Sequence, residues 1–180
     1  MKTLPATLPT VPPGCTWQWA DGTEHARLAP VWRELQRCQS GSPFWRPWFQ
    51  VLLNGESGWF DPHFMQVLEL FDSDDELICC AAEVEHFDRP DTSQILFWVP
   101  LQWRSRGLGE HALRAALALV RLRGRAFAEA ECSLDNRAAA ALLRRHGFQP
   151  WDGRAGPGYG HWVRKLDGGM LKRILPAQGL

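Results

Sequence analysis

The residues WVPLQWRSRGLGEHALRAAL, Trp98–Leu117, decide how this chain is read. An apolar run closes at Val99. A polar turn then carries Arg104, Ser105 and Arg106, followed by Gly107 and Gly109. From there Leu108, Ala112, Leu113, Ala116, Leu117 and Val120 recur at helical spacing, with Glu110, Arg114 and Arg121 on the other side. A helix N-terminus exposes unbonded N–H groups and a partial positive charge. The glycines let a ligand approach the backbone, and the arginines add fixed charge. The stretch therefore predicts an anion site, of a kind that holds pyrophosphate, at the start of a helix.

Working outward, Gly124 fits the stop of that helix. "AFAEAECS" is a short strand on which Glu129 and Glu131 share a face. Asp135 or Asn136 caps a helix from about Arg137 to His146, and Gly147 ends it. "FQPW" and "GYGHWVRKL" read as two closing strands. On the N-terminal side, "SQILFWV" is a strand over Ser93–Val99. "FMQVLELF" and "ELICCAAEVEHF" form a hairpin across the polar turn "DSDD". Adjacent Cys79 and Cys80 on its second strand point to opposite faces. "CTWQWADG" alternates, with Cys15, Trp17 and Trp19 together. Between lie a helix from Thr23 to about Cys38, broken at Pro30, and a second short helix from Pro43. The order β-α-α-β-β-β-α-β-α-β-β predicts a mixed three-layer α/β domain. The hairpin makes early pairing antiparallel, and the helical connections suggest parallel pairing among the late strands.

The length suits one domain. The reading places it at residues 15–166, after a loose proline-rich lead-in (1–14) and before a frayed tail (167–180). No apolar run is long enough for a membrane span, and the N-terminus lacks the apolar core of a signal peptide. The five cysteines are odd in number and none has metal-ligand spacing. Reduced thiols, a cytoplasmic location and no metal are expected. The net charge of zero hides an asymmetry. Residues 1–100 carry 6 Lys/Arg against 14 Asp/Glu, and residues 101–180 carry 14 against 6. Such a chain can bind an anion with one part and a cation with another. Arg121, Arg123, Arg125, Arg144 and Arg145 raise the question of nucleic acid. The neutral balance and the lack of a basic-aromatic motif argue against it.

Two anion cradles compete for the glycine turn. "GLGEHA" fits a dinucleotide pattern, and Glu129 lies at a suitable distance downstream. That pattern needs its first glycine tight against the strand end, whereas seven residues separate Val99 from Gly107. The better match is to the GNAT superfamily of N-acetyltransferases. Its cofactor loop reads [QR]-x-x-G-x-[GA] after the fourth strand, and Arg104-Ser105-Arg106-Gly107-Leu108-Gly109 resembles it. A second signature, N-x-x-A-x-x-L-Y-x-x-x-G-F, resembles "NRAAAALLRRHGF" at Asn136, Ala139, Leu142, Gly147 and Phe148.

The resemblance implies a GNAT fold of the α/β class. Its sheet is mixed, mostly antiparallel and twisted, of about seven strands with helices on both faces, splayed between strands 4 and 5. It implies acetyl-CoA as cofactor, bound through the amides of Arg104, Ser105, Arg106, Gly107, Leu108 and Gly109. Trp98 and Val99 would offer backbone contacts to pantetheine, with Asn136 approaching from the other side, and Leu101 is a further cofactor-binding residue. The activity implied is acetyl transfer to a primary amine, by direct attack on the thioester. Transfer needs a base for the amine proton and a donor for the leaving thiolate. The ribosomal-protein branch carries its base Glu five residues before the signature Asn, which is Glu131 here. Glu83 and Glu85 are rival bases, His86 and His111 weaker ones, and Glu129 is read as a solvated surface carboxylate. The signature's Tyr, the usual acid, is Leu143 here, and the chain's single tyrosine, Tyr159, is the substitute candidate. The acidic N-terminal half favours a cationic acceptor, and the chain is expected as monomer or homodimer. The alternative implied by Leu143 is a catalytically weak module that binds acyl-CoA.

Overall fold

A computed structural model describes residues 4–20, 33, 65–86, 88–151 and 157–166. Seven strands occur in these residues: β1 (Thr16–Trp19), β2 (Met65–Phe71), β3 (Leu77–Glu85), β4 (Thr92–Trp98), β5 (Phe127–Ser133), β6 (Gln149–Pro150) and β7 (Tyr159–Lys165). Two helices, α1 (Leu108–Leu122) and α2 (Arg137–Arg145), flank β5 in the chain. The helices expected from Thr23 to Cys38 and from Pro43 lie outside the described residues.

The strands form one sheet in the order β1-β2-β3-β4-β5-β7-β6. Neighbouring strands run antiparallel except β4 and β5. Only a long crossover can join parallel neighbours, and α1 supplies it. The expected parallel pairing of late strands is thus confined to one pair. β7 lies between β5 and β6 and runs antiparallel to both.

The parallel pair is short, and its register runs Thr92↔Phe127, Ser93↔Ala128 and Gln94↔Glu129. Beyond Gln94, β4 stays on β3 as far as Trp98↔Cys80, while β5 stays on β7 as far as Ser133↔Tyr159. Each strand keeps its outer partner and loses its inner one. The sheet therefore opens as a V toward the C-terminal ends of β4 and β5.

One face of the sheet packs on α1. The apolar residues expected on that helix are all buried, together with Ala115, Ala118 and Leu119. Alanines on both sides (Ala81, Ala112, Ala116) let helix and sheet approach closely. Cys79, Ile95, Ala128, Ala130 and Trp162 complete this core, and α2 adds Leu142 and Leu143. Ahead of β1, Leu8 and Val11 pack against the same core. Two turns shape this segment, closed by Leu8 N–H to the Pro5 carbonyl at 3.2 Å and by Cys15 N–H to the Pro12 carbonyl at 3.1 Å. The opposite face carries Val67, Glu69, Cys80, Ala82, Leu96, Trp98, Glu129 and Glu131, as the register and alternation require.

Candidate active site

The connection after β4 is built to leave backbone amides open. A single 3-10 turn spans Leu101–Trp103, with Trp103 N–H donating to the Pro100 carbonyl at 2.9 Å. Ser105 then takes φ +63°, and Gly107, the N-cap of α1, takes φ +80°. Glycine adopts that left-handed conformation without strain. It also has no side chain to cap the helix, so the first-turn amides of α1 point outward with the positive end of the helix dipole. A Cβ built on Gly107 would meet no heavy atom within 4 Å, so the space above the loop is open. Arg104 Nε donates to the Val99 carbonyl at 3.0 Å, and the Arg106 guanidinium lies 4.7 Å over the Trp103 ring. Both arginines are thereby held at the loop.

The V between β4 and β5 runs into this loop and makes a cleft of about 610 Å³. Its walls are Leu96, Trp98 and Val99 on β4 and its end, and Ala130, Glu131 and Cys132 on β5. Arg104, Ser105, Gly107 and Gly109 close one end. From α2 come Ala139, Leu142 and Arg145, with the N-cap Asn136 beside them. Asn136 Oδ1 accepts from the Ala139 N–H at 3.1 Å, which fixes the side chain at the start of α2. Trp98, Val99, Arg104, Ser105, Gly107, Gly109, Glu131 and Asn136 are thus brought to one cleft, although Asn136 is far from the loop in sequence. Arg106 stands beside it on Trp103. Leu108 is buried in the core, and Leu101 is 73% exposed on the 3-10 turn.

Glu131 is buried at the edge of the cleft, and its cross-strand partner is His161. Tyr159 pairs with Ser133, one residue pair further along the same face. The expected base and the substitute acid therefore stand on adjacent strands, on the face opposite α1. Leu143 is fully buried in the core beneath α2. The cleft is lined instead by its neighbour Leu142.

Glu129 corrects the expectation of a solvated carboxylate, because it is 1% exposed. Both its oxygens accept from Arg89, one from Nη2 at 2.6 Å, and His161 Nε2 lies 3.1 Å from Oε2. Burial alone would raise its pKa. Hydrogen bonds from His161 and Arg89, with the Arg89 charge, outweigh that and hold the carboxyl below its usual range. Trp151 packs against both partners of Glu129, 5.6 Å from the Arg89 guanidinium and 5.6 Å from the His161 ring. Arg89 and His161 escaped the sequence reading. Arg89 lies 40 residues from Glu129 in a loop, and His161 meets β5 only because β7 inserts there.

The rival bases are committed elsewhere. Glu83 lies on the α1 face, accepting from Ser93 Oγ and from Arg123 Nε at 2.9 Å. Its burial keeps the carboxyl above its usual range despite those donors. Glu85 pairs with Arg125 at 2.7 Å. His86 sits against Arg89, and His111 rides on α1. Arg123 and Arg125 neutralise Glu83 and Glu85, Arg144 lies 4.9 Å over Trp162, and Arg145 lines the cleft. Among the described residues, no helix is long and apolar enough to cross a membrane.

Residues 28–148 match the profile of the acetyltransferase (GNAT) family. Similar solved structures include a Salmonella typhimurium protein with its cofactor acetyl-CoA, at TM-score 0.68 and 16% identity, covering 90% of this chain and 99% of that one. A spermidine N-acetyltransferase from Vibrio cholerae, in complex with CoA and spermine, gives TM-score 0.66 at 12% identity, covering 84% and 95%. A ribosomal L7/L12 alpha-N-protein acetyltransferase in complex with coenzyme A gives 0.63 at 16%, covering 89% and 98%. No curated protein sequence matches the chain.

Proposed function

The chain belongs to the GNAT acetyltransferase family, and from that premise we propose that it moves an acetyl group from acetyl-CoA to a primary amine, by direct attack on the thioester. The observation that carries the proposal is the continuity of the V-shaped cleft with the open-amide loop at Gly107. An elongated ligand with an anionic end fits that shape. The open space above Gly107, which a Cβ would enter, suits a pyrophosphate on the loop amides. The amides of Ser105, Arg106, Gly107, Leu108 and Gly109 hold it, and Arg104, whose own amide donates to the Leu101 carbonyl, adds charge together with Arg106. Trp98 and Val99 offer backbone groups along the pantetheine arm, since β4 has no inner partner beyond Gln94, and Asn136 faces it from α2. Leu101 contributes at the cleft mouth. Bound acetyl-CoA supplies an acyl carbon activated as a thioester.

Glu131 then takes the proton of the attacking amine on its carboxylate. Tyr159 Oη, on the same face, gives a proton to the leaving sulfur. General acid–base groups of this kind contribute about 10²–10⁴-fold in rate. The acceptor is a cationic amine, supported by the carboxylates Glu69 and Glu131 on the face where it would approach. The catalytic unit is residues 15–166. Isothermal titration should detect acetyl-CoA binding by the wild-type protein, with Gly107→Glu abolishing it. Absence of binding at millimolar cofactor contradicts the proposal.

The burial of Leu143 favours a second reading, a module that binds acyl-CoA with little turnover, because the family's usual acid position here serves packing. That reading predicts normal acetyl-CoA affinity and no thiol release against a broad amine panel.

A further inference from the structure

The Arg89–Glu129–His161 cluster is a costly thing to bury. Three groups able to carry charge are 6%, 1% and 4% exposed. Ion pairs in such surroundings lose about as much in desolvation as they gain from each other. An apolar set of the same size would hold these strands together as well. The arrangement is also directional. Arg89 grips both oxygens of Glu129, and Glu129 in turn takes the Nε2 side of His161. Nδ1 of that ring is buried and has no hydrogen-bond partner among the described residues. A histidine whose Nε2 hydrogen is fixed by a carboxylate presents its lone pair at Nδ1. That imidazole stands directly across the strand pair from Glu131, on the same face, where paired side chains lie about 4.5–5.5 Å apart at Cβ.

We propose that His161 is a proton relay for Glu131, held in tautomer and orientation by Glu129, which Arg89 anchors. The inference rests on the acetyltransferase reading and extends it. An ammonium acceptor must lose two protons when it becomes a neutral amide. One replaces the proton that Tyr159 gives to the coenzyme sulfur, which leaves as a thiol, and the other must leave the site. Glu131, which makes no hydrogen bond to Nδ1 of His161 without a ligand, accepts a proton from the amine and turns across the strand pair to pass it to Nδ1. The imidazolium so formed faces the ionised Glu129, and it gives up the proton to water that enters the cleft when the products leave. Glu131 returns to its basic form, and no bond to carbon is made or broken in this step. His161, Glu129 and Arg89 are positioning and relay residues, and Glu131 alone of the four meets the substrate.

Three measurements test this on the full-length protein. Long-range nitrogen–proton NMR of the wild-type protein without ligand should place the His161 proton on Nε2 and leave Nδ1 unprotonated at neutral pH. A ring protonated on Nδ1 would overturn the relay. His161→Gln keeps a donor toward Glu129 but cannot take a proton. Its kcat should fall about 10²-fold or more, while KM for acetyl-CoA and directly measured acetyl-CoA affinity stay within about twofold of wild type. A kcat within threefold of wild type would reduce the cluster to a staple between the Arg89 loop and the sheet. If His161→Gln does not fold, His161→Ala with added imidazole carries the test. Partial recovery of kcat supports the relay, and no recovery from a folded His161→Ala protein opposes it. A wild-type protein that binds acetyl-CoA yet releases no thiol with any amine removes the acetyltransferase reading, and the relay with it. A wild-type protein that turns over while His161→Gln matches it removes the relay alone.

Discussion

Gly107 and Gly124 stand at opposite ends of α1 and give a matched pair of substitutions. Both hold positive φ, +80° and +68°, and at neither would a Cβ meet a heavy atom within 4 Å. Alanine at either site therefore costs only the left-handed backbone penalty, about 1–2 kcal/mol. In a domain of this size each kcal/mol lowers Tm by roughly 2–4 °C. Gly107→Ala and Gly124→Ala should thus lose similar stability. They should differ in ligand binding. At Gly107 the new methyl enters the space over the loop amides, where the pyrophosphate is proposed to sit. Losing one charge-assisted hydrogen bond there costs about 1.5–3 kcal/mol, equivalent to roughly 10- to 150-fold weaker acetyl-CoA binding. Gly124 lies at the far end of the helix, so its variant should bind within about twofold of wild type. Calorimetric melting and isothermal titration on the two proteins decide the matter. Equal affinities, or a loss shared by both variants, would refute the assignment of the loop.

Other outcomes follow from the same geometry. Glu131→Gln should lower kcat about 10²–10⁴-fold with little change in KM for acetyl-CoA, read from thiol-release kinetics. Leu143→Tyr should not raise kcat, because that side chain lies in the core; overpacking should cost about 1–3 kcal/mol of stability in urea melts. Asn136→Ala should lose the α2 cap, about 0.5–2 kcal/mol, and also weaken acetyl-CoA binding, whereas a cap with no ligand role would move stability alone. Glu129 has a folded pKa below its unfolded value, so it contributes stability that is present above the ordinary carboxylate range and is lost as pH falls through the folded pKa. Glu129→Gln leaves Arg89 buried without its counter-ion, so it should cost about 3–5 kcal/mol at pH 7. The gap to wild type should narrow as the pH falls, which denaturant melts across that range would record.

The elements of this fold were legible because each carries a local signal. The stripe from Leu108 to Val120 repeats at helical spacing, and the alternation of Thr16–Trp19 is a strand signal. The loop at Gly107 was legible because helix-start chemistry is local as well. The pairing of late strands was not. Nothing within Tyr159–Lys165 states that it inserts between β5 and β6, since that choice depends on which edge the hairpin can reach. The same gap hid half of the site. Glu129 looked solvated beside Glu131 because its partners are Arg89, 40 residues upstream, and His161 on the inserted strand. Glu83 and Glu85 looked like rival bases until register and side-chain alternation put Glu83 on the α1 face and Arg125 took up Glu85. Leu143 stands at the family's tyrosine position in the sequence, and only the fold shows its side chain in the core while Leu142 lines the cleft.

The most direct test of the central claim is a crystal structure of the wild-type protein with acetyl-CoA. The account predicts the pyrophosphate within hydrogen-bonding distance of amides between Arg104 and Gly109, the pantetheine between β4 and β5, and the thioester beside Glu131. Acetyl-CoA bound at any other surface, or a pyrophosphate away from the Gly107 loop, would contradict it.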